Sequence, residues 1–359
     1  MRTLSIAALA ALIFLGVAAP KPAPFRPVPP TAVVADSLIR TGEGHIAHLW
    51  QLTFGGQNAE AYWSGDGTKF IWQWTRDGYP CDQQYVYDLR TGQQTLVSTG
   101  TGRTTCGYFY DQDRRVLFGS THAGGDSCPP PPDMSHGYTW AIYPTYDIWT
   151  AKTDGSDLKR LFEHDGYDAE GTMSPDGKWL VFTSKRDGDV DLYKMHMDGT
   201  GLTRLTHSSG YDGGAFFSHD GKRIVWRTYR TEDSTANATF GKLLAQDLVK
   251  PSKMDLWVMN ADGTDQRRIT DKPAASFAPY FTPDDKNIIY SSNWPDPRSR
   301  NFDLWLVSDR GGEPVPVTRD PDFDGFPMFS PDGRWLLFCS NRGGKAAGET
   351  NVFLAEWRP

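Results

Sequence analysis

Residues 166–179 read GYDAEGTMSPDGKW, and 44 residues further on residues 210–223 read GYDGGAFFSHDGKR. Each joins an acidic, small-residue stretch to an aromatic or Met, and then to a turn. The turn SPDG stands at Ser174–Gly177 and Ser330–Gly333, and SHDG at Ser218–Gly221. Looser forms begin at Ser64 (SGDG), Tyr110 (YDQD) and Thr282 (TPDD). Proline presets φ for a type I turn, Asp suits the next position, and Gly takes the positive φ that ends a bulged hairpin. Trp63, Phe109, Met173, Phe217, Phe281 and Phe329 precede the six turns, and apolar runs such as KWLVFTS and RWLLFCS follow them. The motif therefore predicts one β-hairpin, written six times.

A third strand recurs as YDIWTA, VDLYKM, MDLWVM, FDLWLV and TNVFLA, with QQYVYD as its first copy. After a further turn comes a fourth: LKRLF, LTRLT, QRRIT or EPVPVT. Four antiparallel strands repeated around a ring make an all-β, six-bladed β-propeller. The six turns are 46, 64, 44, 64 and 48 residues apart, against roughly 40–45 for a minimal blade, so two units carry insertions. The last unit stops at its third strand, while a lone HLWQLT (His48–Thr53) precedes the first hairpin and matches the fourth-strand copies. This N-terminal strand is expected to complete the sixth blade and close the ring, which removes exposed sheet edges.

The segments MSPDGKWLVFTS…DLYKMHMDGTGLTRLT and FSPDGRWLLFCSNR resemble the repeats of TolB-like propellers. The resemblance runs from His48 to the C-terminus. It implies a periplasmic propeller that binds proteins, here as a propeller alone, without the α/β domain that precedes the ring in TolB.

The first residues carry one basic side chain (Arg2), an apolar run from Ile6 to Val17, and small residues at Ala18 and Ala19. That is the layout of a secretory signal peptide, too short for a comfortable membrane span. The expected organisation is a signal peptide over 1–19, a Pro-rich tether over 20–45 and the propeller over 46–359, periplasmic or secreted and monomeric. The net charge of −7 and the lack of any basic stripe argue against nucleic acid as a partner.

In a propeller, the loops leading into each innermost strand and those joining second to third strands share one face. Both insertions, about Thr121–Thr145 and Thr228–Lys253, fall in second-to-third-strand loops. The first holds four consecutive prolines and reads as a stiff arm. In the second, GKLLAQDLVK offers Leu243, Leu244 and Leu248 as one side of a short helix. Long loops on one face of a rigid scaffold suit recognition.

Six residues before each turn stand Asn58, Thr104, Asp168, Asp212, Ser276 and Asp324. Four before it stand Glu60, Cys106, Glu170, Gly214, Ala278 and Phe326. Both columns begin innermost strands and are expected to ring the channel mouth. Asn58, Glu60, Asp168, Glu170, Asp212 and Asp324 are the candidate partner-binding residues, with Arg76 and Arg186 beside them and Lys185, Arg230 and Arg342 on the same face. Such a ring suits a basic or amine-bearing partner. It could also chelate a hard cation such as calcium through its carboxylates, and no other cofactor is expected. The alternative role for each Asp is to cap its own turn.

Of the four cysteines, Cys339 sits in an apolar strand as a small buried hydrophobe. Two of Cys81, Cys106 and Cys128 are expected to form a disulfide, with Cys128 the favoured member because the arm gives it reach. No CxxC spacing supports a zinc site with His122. HExxH, GxSxG and phosphate-binding loop motifs are absent from the sequence, so no catalytic residue is assigned. The nearest group is Asp168 and Glu170 with His164. The leading expectation is a non-enzymatic scaffold that binds an envelope or secreted protein or peptide. The alternative is a metal-dependent lyase or hydrolase acting on envelope or extracellular polysaccharide.

Overall fold

The computed structural model describes residues 25–359 apart from Asp77, His136 and Ser252. The expected signal peptide lies outside the described residues. Six antiparallel sheets form the blades, each led by an innermost strand: Gln57–Trp63, Thr104–Tyr110, Asp168–Met173, Gly210–Phe217, Ser276–Phe281 and Asp324–Phe329. These strands contact one another in cyclic order, the sixth meeting the first, and Trp63 donates its indole N–H to the Met328 carbonyl across that seam, 3.0 Å away.

The ring is closed by the N-terminal strand. Ile46–Gln51 pairs antiparallel with Asn351–Trp357, placing Leu49 opposite Ala355 and Trp50 opposite Leu354. A two-residue strand, Val33–Val34, then adds a fifth strand to the sixth blade. The described part of the stretch read as a tether therefore packs against the ring. Asp36 accepts the Leu49 amide at 2.7 Å, and the buried Glu43 and the Leu38 carbonyl both bind Arg342. Proline-rich composition masked these contacts, because single polar anchors leave no periodic pattern.

The turn motif forms the hairpins as read, with Gly67, Gly177, Gly221 and Gly333 at φ between +68° and +70°. The Ser hydroxyl explains the rest of the motif. In blade 3, Ser174 Oγ donates to Asp176 at 2.7 Å and accepts the Trp179 amide at 2.9 Å, locking the hairpin from inside. Where Asp replaces the Gly, its carboxylate grips the preceding blade. Asp113 accepts the Gly65 and Asp66 amides, both at 2.8 Å. Asp285 accepts the amides of His219 and Asp220, both at 2.9 Å, and the His219 ring at 2.8 Å. His219, which stands where the turn proline would be, thus welds blade 4 to blade 5.

The two insertions meet. Trp140–Ala141 of the arm pairs with Leu248–Val249 of the other insertion, making a small sheet that spans blade 3 between blades 2 and 4. Lys185 of blade 3 ties it down through Asp247 (2.6 Å) and the Leu244 carbonyl (3.0 Å). The helix here runs over Ser234–Leu244 rather than through Leu248. Asp233 caps its start by accepting the Ala236 amide, and Asp247 at φ +55° turns the chain into the strand. The capping Asp was the missed signal. Phe240, Leu244 and Val249 pack with Ile142, Tyr146 and Tyr211 as one cluster beneath the sheet.

Candidate binding site at the channel mouth

Every innermost strand slips register by one residue near its middle. The residue at the slip takes positive φ in all six: Glu60 (55°), Cys106 (51°), Glu170 (57°), Gly214 (60°), Ala278 (49°) and Phe326 (57°). These form the column four residues before the turn. A bulge re-aims its side chain, and only one of these positions is Gly, the residue that adopts this backbone freely. Five non-Gly residues in strained geometry at one level of one channel mark that level as worth the strain.

Below it the channel is plugged. Tyr62, Phe216 and Tyr280 are buried, with Phe216 centred 5.3 Å from Tyr62, 5.5 Å from Tyr280 and 6.2 Å from Tyr108. The site is thus a cup that opens on the insertion face.

Half of the cup lies under the paired insertions. Glu170 is buried and saturated: its Oε2 accepts from Thr183 (2.8 Å), Tyr211 (3.0 Å) and the Gly214 amide (2.9 Å), and its Oε1 pairs with Arg227. Arg227 also donates to Tyr211 at 2.8 Å and lies 5.1 Å from the Trp140 ring. The arm therefore roofs the ion pair directly. Sequence reading did not single out Arg227. Its signal was a charge directly after the apolar IVW run, where the other blades carry the uncharged Gln73, Gly119, Thr183, Ser291 and Cys339.

The other half is open. Glu60 is half-buried and its Oε2 accepts the Cys106 amide at 2.9 Å. No described residue forms an ion pair with it. Loss of hydration pushes its carboxyl up to about 7, against the weaker pull of Cys106 and Arg227. Burial, then the charges of Glu60 and Glu170, push the Cys106 thiol up, which keeps it a neutral thiol rather than a nucleophile. On the open rim, carried by blades 5 and 6 next to the blade of Glu60, stands a wall of half-buried phenylalanines. Phe277 is centred 5.0 Å from Phe302 and 5.5 Å from Phe326, and Phe323 is 6.0 Å from Phe326.

The column six residues before the turn sits within the blades. Asp168 is buried against Arg186 at 2.9 Å, with His164 at 3.5 Å. Asp324 is buried against Arg342 at 2.6 Å. In blades 1 and 4 a tryptophan replaces the arginine: Trp72 donates to Asn58 at 2.8 Å and Trp226 to Asp212 at 2.7 Å. Burial raises the carboxyls of Asp168, Asp212 and Asp324. Arg76, whose counterpart in blade 3 pairs with Asp168, instead lies exposed over Trp74 (5.0 Å) and Tyr79 (5.7 Å). Arg230 stacks over Trp257 at 3.9 Å. Cys81 and Cys128 form a disulfide that fastens the arm to blade 1, leaving Cys106 and Cys339 free.

Among the described residues no group of three or more His, Cys, Asp or Glu side chains is placed to hold a metal ion. Asp168, Glu170 and Asp324 each already face an arginine, so a second cation there would meet repulsion, and the residues present do not fit a calcium or manganese site at the mouth.

Residues 143–242 match the family described as the TolB beta propeller domain. Among solved structures, the chain is similar to a TolB of Agrobacterium tumefaciens, at 19% identity and a TM-score of 0.54, covering 85% of this chain and 91% of that one. It is similar to TolB of Acinetobacter baumannii at 16% identity and 0.54, covering 85% and 66%. An oligogalacturonate lyase in complex with manganese superposes at 14% identity and 0.52, covering 92% and 97%. At these identities the structural likeness is one of fold.

Proposed function

We propose that this six-bladed propeller, part of which matches the TolB beta propeller domain, is an exported, non-enzymatic scaffold that binds a protein or peptide at its half-roofed channel mouth. The observation that carries this reading is the open half of the cup, where a half-buried phenylalanine wall stands beside an unpaired carboxylate on a rigid ring. Half-buried aromatic side chains clustered on one rim are what a recognition surface offers. The rest of the mouth supports that surface instead of competing for the ligand, since its carboxylates are engaged by arginines and indoles.

The Cys81–Cys128 disulfide favours an oxidising compartment, in keeping with the expected signal peptide. Among the described residues no helix is long and apolar enough to cross a membrane. A metal-dependent lyase would need a metal beside its general base; Glu60 has the chemistry of a base, but among the described residues no metal-ligating group is gathered around it. Cross-linking of the chain in its own envelope, followed by identification of what is captured, tests the reading. Recovery of one protein whose capture falls on Phe326→Ala supports it. Recovery of none, with cleavage of an acidic polysaccharide by the purified chain, overturns it.

A further inference from the structure

The open half of the mouth has two chemistries within one cup. Glu60 and Phe326 occupy the same bulge position on adjacent innermost strands, those of blades 1 and 6. The carboxylate at this level in blade 3 is neutralised by Arg227, whereas apart from the Cys106 amide and thiol no described donor reaches Glu60. The basic residues of the same face are committed elsewhere: Arg186 and Arg342 to buried aspartates, Lys185 to the roof, and Arg76 to the rings of Trp74 and Tyr79. The cup thus sets two glutamates, Glu60 and Glu170, against one Arg227, which pairs with Glu170, and leaves Glu60 beside the phenylalanine wall.

We propose that this half of the mouth receives a peptide segment presenting an ammonium group next to an aromatic or large aliphatic side chain, with the ammonium on Glu60 and the apolar group on Phe277, Phe302, Phe323 and Phe326. The proposal rests on the binding reading above and names what that site selects. A desolvated carboxylate gains more from a cation than an exposed one does, because water competes less. An aromatic wall holds an apolar side chain and also favours the cation electrostatically. An acidic segment meets an unpaired like charge and is rejected.

Binding is measured by calorimetry on the exported, disulfide-intact chain at pH 8. The probes are Phe-Ala amide, N-acetyl-Phe-Ala amide, N-acetyl-Lys-Phe amide and N-acetyl-Glu-Phe amide. At least one ammonium-bearing probe is expected to bind about tenfold or more tighter than the acidic one, a difference that Glu60→Gln removes and Phe326→Ala weakens. Loss on acetylation of Phe-Ala amide assigns the ammonium to a chain terminus, and retention by the lysyl probe assigns it to a side chain. The Gln variant keeps an acceptor for the Cys106 amide, so its melting temperature serves as the folding control. Equal binding of acidic and basic probes, no binding of either ammonium probe, or full binding by a folded Glu60→Gln variant overturns the proposal. A captured envelope partner that ignores Glu60→Gln overturns this inference alone, whereas absence of any partner strikes the binding reading itself.

Discussion

The two halves of the channel mouth use the same bulged strand to opposite ends. Under the roof, the bulge carboxylate Glu170 is buried and answered by Arg227, Tyr211, Thr183 and a backbone amide. In the open half, Glu60 performs the same backbone task, accepting the bulge amide of the next blade, but keeps its charge unanswered. Blade 5 has Ala278 at this level, and there its Ser291 accepts the bulge amide of the next blade, Phe326, at 3.2 Å. A repeated scaffold need thus fixes where the side chain points, and the insertions decide whether it is sealed or offered. Among the described residues the open half has one comparably buried cation, Arg342, and it is paired with Glu43 of the N-terminal segment and with Asp324.

The sharpest way to break this contrast is to remove the cation on the sealed side. Arg227→Leu leaves Glu170 buried and unpaired, so stability is expected to fall by about 3–5 kcal/mol in urea denaturation. Adding Glu170→Gln should restore much of it. A loss under about 1 kcal/mol would show that water already enters beneath the roof. Next in size is the Cys81–Cys128 link, which closes a 47-residue separation. Replacing both by Ser is expected to cost about 2–4 kcal/mol. Limited proteolysis should cut first within 121–145, with the innermost strands of blades 5 and 6 still protected. Cleavage starting in the open half instead would mean that the disulfide holds the ring rather than the roof. Smaller again is Trp140→Ala, which uncovers Arg227 at a cost of about 2 kcal/mol. Hydrogen exchange should quicken at Tyr211–Gly214 and stay unchanged at Ala59–Ala61. Equal change at both sites would erase the distinction between the halves.

The ring itself was legible in the sequence because turns, aromatic positions and strand order repeat, and the orphan His48–Thr53 strand matched a gap at the other end. The mouth was legible only by level. GYDAEG located both carboxylates of blade 3, Asp168 and Glu170, but not which of them faces the lumen, since a bulge shifts the two-residue alternation at that point. Nor could spacing show that Trp140 reaches Arg227, a contact between the arm and the second strand of blade 4. The Phe wall draws on SFAPYF and FDGF at two innermost strands and on NFDLW at a third strand, with its rings at different offsets from the turn, so no periodicity gathers them. What the opening motif encodes is therefore a hairpin and an aimed side chain; what it leaves open is the company that side chain keeps.

The smallest expected effect separates the halves most cleanly. Glu60 is held up to about 7 in the folded chain against 4.5 for an ordinary glutamate, so the folded state binds more protons than the unfolded state between those values. Its contribution to stability is then greatest below pH 4.5 and is lost as pH rises through about 7. The charged or titratable groups that face it are Cys106, Glu170, Arg227, Tyr62 and Cys339. Of these, Cys106, Tyr62 and Cys339 are pushed up out of the range, and Arg227 stays cationic throughout it. Glu60→Gln removes the penalty without removing the acceptor for the Cys106 amide. The variant should match the parent at pH 4 and exceed it at pH 8 by about 1–2 kcal/mol, after discounting for partial exposure. Parallel stability curves for the two proteins between pH 4.5 and 7.5 would mean that Glu60 is as well answered as Glu170, and the cup would have no open half. A variant that gains stability while losing ammonium-bearing peptides would place Glu60 among residues kept for binding at a cost to folding.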